Sequence, residues 1–152
     1  MKKLLIALMV LLPFTSLAQN TETNDYFTSL LEKTIENKLK EMGCSYEYIN
    51  DEAMHFKHQG RSFIFATDDE DVNFVRIILP IEWDGSNRRL TLEALNNITK
   101  STKFIKANIM DDDSVWFSIE SQIFRMSDLE NTFERYLRIL HSGYNDYVSE
   151  IK

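Results

Sequence analysis

Residues 92–140 read as a helix, a hairpin and a second helix in direct succession, and that order leaves few folds open. Leu92, Leu95 and Ile98 recur at helical spacing. The period then drops to two: Ile105, Ala107 and Ile109 share one face of a strand. Asp111-Asp112-Asp113-Ser114 turns the chain, and Val115, Phe117 and Ile119 alternate with Trp116, Ser118 and Glu120. Ser127 and Glu130 have the spacing of a capping box, which predicts the start of a closing helix. Its stripe is Leu129, Phe133, Tyr136, Leu137, Leu140 and Tyr144. Gly143 is expected to end or bend this helix before a tail that carries Tyr147, Val148 and Ile151.

Upstream, Phe27, Leu30, Leu31, Ile35, Leu39 and Met42 form an apolar stripe that predicts a helix over 25–42, stopped by Gly43. From 45 to 83 the period is two. Strands are expected around Tyr46 and Tyr48, around Met54 and Phe56, around Phe63 and Phe65, and over 72–81. Gln59-Gly60 marks a tight turn between the second and third of these, and Asp68-Asp69-Glu70-Asp71 an acidic turn before the fourth. Short connections make these strands antiparallel neighbours. The element order is α-β-β-β-β-α-β-β-α. Helices interrupt an antiparallel sheet instead of alternating with its strands, so the class is α+β, with the helices on one face of the sheet.

The first 18 residues have the form of a signal peptide. Lys2 and Lys3 are followed by the apolar run 4–12, and Ser16-Leu17-Ala18 places small residues before a cut ahead of Gln19. The apolar run is shorter than the roughly 20 residues a membrane span needs. The expected organisation is a leader over 1–18, a flexible polar tail over 19–24, and one domain over 25–152. The expected location is the periplasm or the medium. The leader holds two lysines and no acids, so its removal takes the net charge from −7 to −9. A chain this acidic offers no basic stripe for nucleic acid. Cys44 is the single cysteine, which rules out an internal disulfide.

The pattern Leu95-Asn96-Asn97, Lys103-Phe104-Ile105-Lys106-Ala107, Asp111 to Phe117, and Leu129-Glu130-Asn131-Thr132-Phe133 resembles the YbjN-like family of candidate bacterial sensory-transduction regulators. The resemblance continues upstream through Gly43-Cys44-Ser45-Tyr46-Glu47-Tyr48 and the strand ending Ile78-Leu79-Pro80. It implies the fold of type III secretion chaperones, a twisted antiparallel sheet with helices on one side, often paired into dimers. It implies no catalytic residues. An exported chain departs from a cytoplasmic secretion-chaperone role.

No catalytic constellation emerges from the residues. A Gly-x-Ser-x-Gly elbow is absent, and four glycines leave no phosphate-cradling loop. Glu82, Asp84 and Glu120 are the carboxylates that a glycosidase pair would have to use. His55 and His58 lie three apart on a strand and so point to opposite faces, which is awkward for one metal ion. No cofactor and no metal are expected. The acidic turns supply an alternative, a small-ligand or calcium site, although neither has the spacing of an EF-hand loop. The more informative feature is the wrong-face residues. If Val75, Ile77, Leu79, Val115, Phe117 and Ile119 face the helices, then Phe74, Arg76, Ile78, Trp116 and Ser118 face away. That mixture of aromatic, arginine and polar side chains suits an interface, so these five are the candidate partner surface, for a protein chain or a second copy. The expected role is a non-catalytic interaction module, regulatory or chaperone-like.

Overall fold

The computed structural model describes residues 15–152 except 69, 84 and 113, with side chains from residue 26 onward. The elements are α1 (Thr15–Glu41), β1 (Tyr46–Asn50), β2 (Ala53–His58), β3 (Arg61–Thr67), β4 (Phe74–Glu82), α2 (Arg88–Ser101), β5 (Ile105–Ile109), β6 (Ser114–Gln122) and α3 (Met126–Ile151). This is the predicted order. The leader's basic and apolar parts lie outside the described residues. The backbone of α1 is helical from Thr15, so it runs through 19–24, where a flexible tail was expected. A helix nucleated by a docked stripe extends through polar residues at little cost, because each added residue gains a hydrogen bond without a new nucleus.

The six strands form one antiparallel sheet in the order β1-β2-β3-β4-β6-β5. After β4, α2 carries the chain to the far edge. There β5 is laid down, and the hairpin then returns β6 to the inside. β6 therefore pairs with β4 along its whole length, from Phe74↔Gln122 to Glu82↔Ser114, and with β5 on its other side. Alternation decides the faces. Met54, Phe56, Phe63, Phe65, Val75, Ile77, Leu79, Val115, Phe117 and Ile119 are all buried. They join Leu31, Ile35 and Leu39 of α1, Ala94, Leu95 and Ile98 of α2, and Leu129, Phe133, Leu137 and Leu140 of α3 in one core. All three helices thus cover the same face. Aromatic stacking knits the layers: Phe56 lies 5.4 Å from Phe63 and 5.8 Å from Phe133, centroid to centroid.

Local chemistry explains the element ends. Gly43 stops α1 at φ 68°, where Gly43 N–H donates to Lys40 O and Cys44 N–H to Leu39 O, a Schellman closure. Gln59 and Gly60 both have positive φ, as a two-residue hairpin turn of the primed kind requires. Asn87 caps α2, its side chain accepting from Leu90 N–H.

Two expectations fail in α3. Its first helical residue is Met126, so Ser127 sits inside the first turn and its hydroxyl does not cap. Instead, Arg125 donates to Asp128 Oδ2 at 3.2 Å, and Asp128 N–H to Arg125 O at 2.9 Å. Gly143 does not end the helix. It is buried, and a Cβ there would overlap Cδ1 of Ile105 on β5 and touch Cγ2 of Ile98 at 3.5 Å. The glycine is needed for close approach. The helix continues past it, and Tyr147, expected in a tail, is buried in the core.

Candidate functional site

The outer face of the sheet carries the five candidate surface residues, spread along the β4–β6 pair from Phe74 at one end to Trp116 near the other. Ile78 pairs with Ser118, Pro80 with Trp116, Arg76 with Glu120, and Phe74 with Gln122. Lys106 and Asn108 of β5 extend the rows of Ser118 and Trp116. At the centre, the Glu120 carboxylate receives both Lys106 Nζ and the Arg76 guanidinium, the latter at 3.0 Å. The Lys106 ammonium first, and the Arg76 charge after it, hold the Glu120 carboxyl below the usual carboxylate range. Arg76 also lies 5.5 Å from the Phe74 ring centroid.

Burial divides the five. Phe74, Arg76 and Trp116 are half-buried. Ile78 and Ser118 are buried, at 3% and 6% exposure, although the helices are on the other side and Ile78 is not part of the helical core. They form the floor of the outer face, and the other three form its relief. The large apolar side chains most open to solvent lie elsewhere. They are Tyr26, Tyr48, Ile49, Leu92, Phe104 and Phe124, and Phe104 also has φ 71°, a left-handed backbone that is rare for an aromatic residue. The spacing predicts Leu92 on the buried stripe of α2 with Leu95 and Ile98, but only those two are buried, because spacing gives a helical face and not how far the sheet covers it.

In each acidic turn one carboxylate is bonded within the turn itself. Asp68 Oδ1 accepts from the N–H groups of Glu70 and Asp71 at 2.9 and 3.1 Å. Asp112 Oδ1 accepts from Ser114 Oγ–H at 2.6 Å and Ser114 N–H at 3.0 Å, and the hydroxyl bond leads in lowering its pKa. Asp69 and Asp113 lie outside the described residues. Among the described residues no group of three His, Cys, Asp or Glu side chains is placed to hold a metal ion.

The other candidate groups do not converge. Glu82 pairs with Ser114 at one end of β6 and Glu120 with Arg76 near the other, so the two carboxylates are roughly 20 Å apart at the rise of a strand. A glycosidase pair stands about 5–9.5 Å apart. Asp84 lies outside the described residues. Cys44 is half-buried, and burial pushes its thiol pKa up, away from reactivity. His55 is on the outer side against Glu47 at 3.2 Å, while His58 points to the helices, as alternation predicts. His58 there meets His141 of α3, a pairing across 83 positions that no local spacing signals.

A cleft of about 480 Å³ opens between the β4–α2 connection and the end of α3. Ile81, Trp83, Leu90, Tyr144, Val148 and Ile151 give it apolar walls, and Glu82, Asn87 and Thr91 a polar side. The Trp83 ring is pinned by its N–H, which donates to Ser86 O at 3.1 Å, and Arg88 lies 5.6 Å from its centroid. The residues that build this cleft are distant in sequence, so the sequence reading missed it.

No helix among the described residues is long and apolar enough to cross a membrane. No protein-family model matches the chain, and no curated protein matches it either. Among solved structures, the crystal structure of YbjN from E. coli, described as a candidate transcription regulator, is similar, with a TM-score of 0.59 and 17% sequence identity. The likeness covers 73% of this chain and 86% of that one. At this identity the likeness speaks for architecture, and the protein is accordingly a YbjN-like α+β fold, an open antiparallel sheet with its helices on one face.

Proposed function

We propose that this chain is an exported, non-catalytic interaction module, regulatory or chaperone-like, that binds a protein chain or a second copy of itself through the outer face of its sheet. The observation that carries this reading is the construction of that face. Its floor, Ile78 and Ser118, is buried without belonging to the helical core, and aromatic and charged side chains frame it. Aromatic and arginine side chains around a buried apolar residue are the groups in which protein interfaces are enriched. The YbjN likeness is compatible with such a role through the fold that it shares.

Trp116→Ala tests the face. Trp116 is half-buried and lies opposite the helical core, so the expected loss of stability is about 1–2 kcal/mol, a shift of a few degrees in Tm. Light scattering across a concentration series is expected to show the wild type gaining mass, or an identified partner binding it, and the variant losing that association at least tenfold. If wild type and variant have the same mass and the same partner affinity, the face is not the interface.

Export rests on the leader pattern. A cut after Ala18 would shorten α1; among the residues whose side chains are described, the first member of the core is Leu31. Expression in a Gram-negative host, followed by fractionation and N-terminal sequencing, is expected to return periplasmic protein beginning at Gln19. Recovery of the full-length chain in the cytoplasm would refute export and leave the interface reading standing.

A further inference from the structure

The pairing of His58 with His141 joins the end of β2 to α3. His58 is the last residue of β2, one position before the Gln59-Gly60 turn, and His141 stands midway along α3. Nε2 of His141 and Nδ1 of His58 are 3.3 Å apart, with ring centroids at 5.4 Å. Both rings rest on Phe63, at 5.2 Å for His141 and 6.3 Å for His58. One residue beyond the turn, the Arg61 guanidinium stacks on Tyr144 at 3.6 Å and donates to Asn145 Oδ1 at 3.5 Å. The tip of the β2–β3 hairpin is therefore tied to α3 by three polar contacts side by side.

We propose that this His58–His141 contact is an acid-sensitive latch, closed at neutral pH and opened by protonation, that holds the β2–β3 hairpin tip on α3. An N–H···N bond between imidazoles needs one donor and one acceptor nitrogen. A single added proton leaves that arrangement possible. A second makes every ring nitrogen a donor, so the contact becomes two facing cations with Arg61 as a third beside them.

The surroundings set the direction. Burial is the largest influence on both rings and lowers both pKa values, and His58 and then Arg61 lower that of His141 further. Glu134 of α3 acts the other way on His58, but its carboxylate is held by Lys38 of α1 at 3.0 Å and has Arg138 nearby on its own helix. Lys38 also has Glu41 at 3.7 Å. Lys57, the neighbour of His58 in β2, is exposed on the opposite side of the strand. Histidines with folded pKa values below the unfolded one contribute stability that is complete above the unfolded value. That stability is lost as pH falls from about 6.5 toward the folded values.

The test is amide exchange of residues 57–62 and 141–146 at pH 7.5 and 5.5, corrected for intrinsic rates, in the wild type, His58→Gln and His141→Gln. Glutamine can still donate and accept but does not titrate in this range. The wild type is expected to exchange about tenfold faster at the lower pH, the equivalent of about one pK unit, and the variants less than twofold faster. Equal pH responses in all three chains would overturn the latch. NMR titration of the wild-type histidine ring protons gives a reading that needs no variant. His58 and His141 titrating below the ordinary histidine value of about 6.5 support the latch, and both titrating at that value refute it.

Discussion

Phe117→Ala is expected to cost about 3–5 kcal/mol, lowering Tm on the order of 10–20 °C, which makes it one of the two most damaging changes considered. Phe117 is fully buried at the centre of β6, with Leu79 of β4 and Ala107 of β5 as its register partners. Above it, the rings of Tyr144 and Tyr147 meet its edge at 6.4 and 5.6 Å, so truncation opens a cavity between the sheet and the second half of α3. β6 is flanked on both sides and cannot shift to fill that space. Equilibrium urea unfolding measures the loss. The adjacent Trp116→Ala supplies the contrast, because consecutive strand residues face opposite layers. The assigned faces would be wrong if Phe117→Ala cost less than about 1 kcal/mol, or if the two substitutions cost the same.

That contrast also marks how much was legible. Which residues of 72–81 and 115–119 face the helices followed from alternation alone, because a pleated strand admits two faces and the apolar set chose one. The order of elements was legible for the same reason. The place of β6 between β4 and β5 was not. Periodicity says which way a side chain points, not which strand lies beside it, and the returning hairpin is a long-range choice. The candidate surface shows the same limit. Phe74, Arg76, Ile78, Trp116 and Ser118 do share the outer face, but whether each stands up from it or forms its floor depends on neighbours such as Ile64 and Lys106, brought in by pairing. The capping box failed because α3 takes Arg125 as its N-cap, two residues before Ser127, which leaves Ser127 inside the first turn. The His58–His141 contact and the 480 Å³ cleft had no local signal at all, since each is made by residues that meet only when α3 docks.

Gly143→Leu is expected to destabilise the protein by about 2–4 kcal/mol, because α3 there lies against β5 with no room for a side chain. The smaller change Gly143→Ala separates two effects of opposite sign. Alanine favours a helix interior over glycine by about 1 kcal/mol, whereas its Cβ overlaps Cδ1 of Ile105. Ile105 is itself buried at 4% exposure, so its terminal methyl has little freedom to swing aside. Ile105→Val removes that methyl and alone should cost about 0.5–1.5 kcal/mol. In the Gly143→Ala background the same substitution should cost less, or stabilise, because the methyl it deletes is the one in the way. A double-mutant cycle by urea unfolding is expected to give a favourable coupling of about 1 kcal/mol. Additivity within about 0.3 kcal/mol would show that the two residues do not compete for space, and that Gly143 is present for a reason other than the approach of α3 to β5.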